Sequence, residues 1–130
     1  MESMDKVLRG ITFDFFGRAL HKITPAAFFG GAEGVLVDLR STEERGILTV
    51  TIPGLECLHI PLHELPDRWE EIPMDLPVGL FCSSDNRSAM AFLYLRGRGY
   101  MSARILAGGY EALVVEFKPG KIYKRLKAGA

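Results

Sequence analysis

Four short apolar runs constrain this chain more than any other feature: GVLVDLR at 34–40, LECLHI at 55–60, VGLFC at 78–82 and ARIL at 103–106. The first is too continuous for a strand with one wet face and is bounded by glycine and charge, the pattern of a buried parallel strand, and the other three repeat the same short, flanked pattern. The segments between them are long enough to cross over. Strands alternating with crossovers predict an α/β fold, a mainly parallel sheet of about four to five strands flanked by helices, with ligands bound at the carboxyl ends of the strands.

The 130 residues suit one domain. Acidic and basic residues balance at 16 each, without the basic excess of a nucleic-acid binder, and 48% hydrophobic residues is too many for a disordered chain. The first residues, MESMDKVLRGITFDFF, mix charges among apolar positions and lack the uninterrupted apolar core of a signal peptide or membrane span. A cytoplasmic protein, with no nucleic-acid or membrane partner, is expected. Cys57 and Cys82 are separated by at least one crossover, and in a reducing compartment they read as two thiols rather than a disulfide.

Helices are expected at four places. Asn86 to Arg96 carries Ala89, Phe92, Leu93 and Arg96 at helical spacing, and Gly97 and Gly99 stop it. His63 to Ile72 carries Leu65 and Trp69 with Pro66 near its start, and Pro73 and Pro77 end it. Thr24 would cap a short helix to Phe29 with Pro25 in its first turn, and Tyr110 to Phe117 lies between a glycine pair and Pro119-Gly120. Residues 1–22 form an N-terminal extension of uncertain structure, 23–117 the domain, and 118–130 a basic, solvated tail.

The stretch FCSSDNRSAM, at 81–90, lies at the carboxyl end of the third strand. A thiolate is the reactive form of cysteine, and it is favoured near a cation or at a helix N-terminus. Cys82 has Arg87 five residues on and a helix beginning near Asn86. Ser83, Ser84, Asp85 and Asn86 favour turns, and Ser88 can bond locally, so the loop can curl its N–H groups around an anion. Arg87 would hold that anion or bond the loop carbonyls. Equally, Cys82 reads as a small hydrophobe ending a strand, and the residues alone leave catalysis and packing both open.

FCSSDNRS resembles the active-site loop of the rhodanese-like family: cysteine, four residues, arginine, then serine or threonine. Further matches follow in the family's order, LVDLRSTEE at 36–44, IPG at 52–54, HIPLHEL at 59–65 and LRGRGYMSARILAGGYEAL at 95–113. The resemblance implies a sulfurtransferase in which Cys82 takes a sulfane sulfur from a small anionic donor such as thiosulfate. Cys82 would pass it, as a persulfide, to a thiol, to cyanide or to a sulfur-accepting protein. It implies that Ser83, Ser84, Asp85, Asn86, Arg87 and Ser88 bind the substrate, that Asp38 and Arg40 support the loop, and that no cofactor or metal takes part. Related phosphatases have one more residue between cysteine and arginine, so the shorter loop favours sulfur over phosphate.

Three departures stand out. Asp85 replaces a common glycine, Thr51 a frequent histidine and Leu113 a frequent tryptophan. Aspartate tolerates a left-handed backbone, so the loop can still close. Its charge matters more, since at ~8 Å and an effective dielectric of about 20 it opposes a thiolate by roughly 2 kcal/mol, weakening affinity for dianions. Two competing readings remain: Cys57, His59 and His63 as metal ligands, which their spacing supports poorly, and a rhodanese fold used without catalysis as an interaction or redox-sensing module.

Overall fold

The computed structural model describes residues 2–31 and 33–128. Helices α1 (Met4–Arg9) and α2 (Phe13–Gly17) come first, each capped by a hydroxyl, Ser3 Oγ accepting from the Lys6 N–H and Thr12 Oγ1 from that of Phe15. Strand β1 (Lys22–Ile23) leads to α3 (Pro25–Phe29), where Thr24 is the N-cap and Pro25 opens the helix as expected. The remaining elements are β2 (Val35–Asp38), α4 (Thr42–Ile47), β3 (Glu56–His59), α5 (Leu65–Arg68), β4 (Val78–Phe81), α6 (Asn86–Gly97), β5 (Ala103–Leu106), α7 (Gly109–Val115) and α8 (Pro119–Ala128).

All four apolar runs contain strands, and β1 adds a fifth at an edge. The sheet is parallel throughout, in the order β1-β5-β4-β2-β3. Alternation along buried β2 divides the core: Val35 and Val37 face a cluster with Leu65, Leu80, Phe92 and Leu95, while Leu36 faces another with Phe28, Phe29, Phe81 and Leu113. Gly79 in β4 lets the Phe28 ring lie on the strand, since a Cβ there would meet ring carbons at 3.0 Å. Beyond α6, Gly99 takes φ 94° and the Tyr100 N–H returns to the Leu95 carbonyl, the left-handed stop expected of the glycines.

β2 and β4 are neighbours, but the chain leaving β2 goes to β3 on one side and the chain leaving β4 goes to β5 on the other. Their carboxyl ends therefore meet at a topological switch point, the place where ligands bind in open parallel sheets. The segment after β3 is less regular than one helix, with 3-10 turns at Leu62–Glu64 and Trp69–Glu71 on either side of α5.

Helix α4 is an addition to the sequence reading. Residues 119–128 of the basic tail are helical and mostly exposed, with no buried residue, and Arg125 donates to Glu116 at 3.3 Å and lies 4.9 Å from the centre of the Phe29 ring. The last two residues of that tail lie outside those described. No helix among the described residues is long and apolar enough to cross a membrane.

Candidate active site

Cys82 follows the last residue of β4 and has no exposed surface. The chain after it turns through Ser83 and Ser84 to Asp85, whose φ of 70° is the left-handed conformation that aspartate tolerates, and α6 starts at the next residue. This turn brings the first helical turn back over the cysteine: the Ser88 N–H donates to Cys82 Sγ at 3.4 Å. Burial, a strand end and an aimed backbone donor thus converge on one sulfur. Asn86 and Ser84 are exposed, while Ser88 is buried with its hydroxyl unpartnered among the described residues.

Arg87 is half-buried and does not bond loop carbonyls. Its two amino nitrogens grip the Glu44 carboxylate at 2.5 and 3.0 Å, and Nη2 also donates to Ser83 Oγ at 3.0 Å. Glu44 is held in turn by a capping box at the start of α4, where its Oε1 accepts from the Ser41 N–H and Ser41 Oγ accepts from the Glu44 N–H. The Arg87 guanidinium, then the Ser41 N–H, pulls the Glu44 carboxyl down to about 2. Glu44 raises the Arg87 guanidinium reciprocally, and the nearby Cys82 sulfur adds a smaller effect in the same sense. The sequence reading missed Glu44, although its signal was present as Ser41-Thr-Glu-Glu44 directly after a strand.

Asp85 turns its carboxylate toward the next crossover. Oδ2 accepts from the Gly108 N–H at 3.0 Å, and Oδ1 is buried without a partner among the described residues. The Tyr110 N–H reaches the Ser83 carbonyl at 3.4 Å, and a Cβ on Gly109 would lie 2.1 Å from that carbonyl oxygen, so only glycine lets the two loops close together.

Asp38 and Arg40 form a buried pair behind this surface. Arg40 Nε and Nη2 donate to the two Asp38 oxygens at 2.9 and 2.7 Å, and Nη1 donates to the Tyr110 hydroxyl at 3.0 Å. The guanidinium lies 5.3 Å from the Phe81 ring centre and 5.6 Å from that of Tyr110, and its value is raised chiefly by Asp38. His59 Nε2 lies 2.8 Å from the Arg40 carbonyl, tying β3 to the same corner. Tyr110 is a member of this corner that the sequence reading lacked.

Among the described residues, no three His, Cys, Asp or Glu side chains gather as a metal site requires. Cys57 lies on β3, separated from β4 by β2, so two strand spacings, roughly 10 Å, part the two cysteines before any offset along the strands. A disulfide between them is therefore excluded in this fold. Burial pushes the Cys57 thiol up, as suits an inert thiol.

The rhodanese-like domain model matches residues 26–116, more than half of the chain. The chain belongs to the rhodanese-like domain family. A sulfurtransferase of Allochromatium vinosum is 40% identical over 75 residues, 58% of this chain and 66% of that protein. A tRNA sulfurtransferase of Aeromonas salmonicida is 28% identical over 57% of this chain, but over only 15% of its own length. Among solved structures, a NAD-dependent persulfide reductase from A. fulgidus superposes with a TM-score of 0.58 and 29% identity, covering 78% of this chain and 17% of that one. The chain thus matches less than two thirds of each of these three proteins.

Proposed function

We propose that this rhodanese-like protein is a sulfurtransferase working through a persulfide on Cys82. The observation that carries the reading is the Ser88 N–H aimed at Cys82 Sγ at 3.4 Å from the first turn of α6, where a helix N-terminus favours negative sulfur. The Cys82 thiolate attacks the outer sulfur of thiosulfate, the sulfur–sulfur bond of the donor breaks, and its electron pair leaves with sulfite. An acceptor thiolate or cyanide then attacks the terminal sulfur of the Cys82 persulfide, taking that sulfur and returning the thiolate. The loop amides from Ser83 to Ser88 hold the anionic terminal sulfur, and Arg87 meets the donor.

Because Cys82 is buried, entry of the donor requires loop side chains to move. Arg87, held by side-chain bonds to Glu44 and Ser83, is the residue we assign to that movement. A reducing compartment such as the cytoplasm keeps both cysteines as thiols. Whether a small thiol or a protein takes the sulfur follows from which acceptor discharges the loaded enzyme. Incubation with thiosulfate, removal of excess donor and intact-mass measurement test the scheme. The wild-type protein is expected to gain the mass of one sulfur atom and lose it on treatment with cyanide, while Cys82→Ser gains none. The Glu44–Arg87 pair favours the second reading, a non-catalytic interaction module, and a wild-type protein that gains no sulfur from thiosulfate or from an organic persulfide would establish it.

A further inference from the structure

A cavity of about 400 Å³ lies where α1 and the segment through α2 meet α6 and β5, away from the Cys82 loop. Its apolar wall includes Val7, Ile11, Phe15 and Phe92, and two arginines, Arg96 and Arg104, line it with them. The wall from Glu2 to Leu20 precedes the family-matched residues 26–116, so the cavity is an addition to the common domain. Its volume is that of a small-molecule site.

The arginines are poorly compensated. The Arg96 guanidinium is 5.3 Å from the centre of the Phe15 ring and 5.2 Å from that of Phe92, and its only side-chain hydrogen bond among the described residues is from Nη1 to Met101 Sδ at 3.6 Å. Its Nε is buried with no partner among the described residues. Burial, and then the neighbouring Arg104 charge, push the Arg96 guanidinium down from its ordinary value. The one carboxylate lining the cavity, Glu2, is paired with Lys6 at 3.1 Å. An aromatic clamp alone accounts for Arg96 as a packing residue, but not for a second arginine brought beside it in an open cavity. A buried, unpartnered donor on Arg96 next to a second arginine favours an anion, and the planar guanidinium fork suits a carboxylate. The aromatic and aliphatic wall favours an organic body over an inorganic ion.

We propose that this cavity is a binding site for a small organic monocarboxylate, its carboxylate on Arg96 and Arg104 and its apolar body against Phe15, Phe92 and the α1 wall. Calorimetric titration of the full chain with octanoate, octanol and inorganic phosphate tests it. Octanoate is expected to bind saturably with one site per chain, about tenfold or more tighter than octanol or phosphate, and Arg104→Gln to remove most of that preference while leaving the weak octanol binding in place. The wild-type comparison of octanoate with octanol is decisive even if the variant folds poorly. Absence of saturable octanoate binding, equal binding of octanol, tighter binding of phosphate, or an octanoate preference unchanged in folded Arg104→Gln would overturn the proposal.

Discussion

At the scale of single residues, Asp85 has the most to say about donor choice. Its left-handed backbone replaces the family's glycine without opening the loop, and its carboxylate is tethered to the Gly108 N–H rather than left free beside the sulfur. In the proposed mechanism the tether fixes a negative charge within the loop that an anionic donor approaches. Asp85→Asn keeps both the left-handed preference and an acceptor for Gly108 while removing the charge. The expected result in a steady-state thiosulfate assay is a KM lowered about fivefold, near 1 kcal/mol, with little change in thermal midpoint. An unchanged KM would show that the charge does not reach the donor. The sequence alone exposed the conflict between charge and function at Asp85, but could not show which way the carboxylate points, because that depends on a loop 23 residues away in the chain.

At the scale of elements, α4 is the part that sequence patterning concealed. It has no buried residue, so it carries none of the apolar periodicity that reveals a helix, and only its capping box marks it. Through Glu44 that exposed helix clamps α6 to the end of β2. The Glu44 carboxyl sits near 2 when folded against an ordinary 4.5, so the clamp is fully formed above about pH 4.5 and is lost as pH falls through 2. About a third of the Glu44 side chain is exposed, at 34%, and solvent screening reduces the contribution of the pair to about 1 kcal/mol. Glu44→Gln should therefore lower stability at neutral pH by about that amount, with the difference from wild type shrinking between pH 5 and pH 2, roughly the interval between the two carboxyl values. Chemical denaturation across that range measures it, and a difference independent of pH would assign the effect to the cap rather than the ion pair.

At the scale of the whole molecule, the Asp38–Arg40 corner joins β2, β3 and α7, and it is buried where a lone charge is expensive. Asp38→Asn removes the counter-charge and leaves the buried guanidinium in place, a loss expected to cost about 3 kcal/mol or more, seen as a large fall in thermal midpoint. If the variant unfolds like wild type, solvent reaches Arg40 and the corner is not a keystone. The four apolar runs, the period-2 division of β2 between two core faces, the glycine stop of α6 and the position of the Cys82 loop were all fixed by local sequence, since each depends on burial pattern or backbone conformation within a few residues. Two-residue β1 was not, because a strand that short has no periodicity and exists only by pairing with β5. Likewise, α8 reads as a basic tail until Arg125 meets Glu116 and Phe29. The sequence by itself determined the fold class and placed Cys82 in a polar loop at the carboxyl end of a strand. Only the tertiary structure decided that Glu44 holds Arg87, that Gly108 holds Asp85 and that Arg40 rests on Tyr110, because each partner comes from another crossover and the folded sheet alone brings them together.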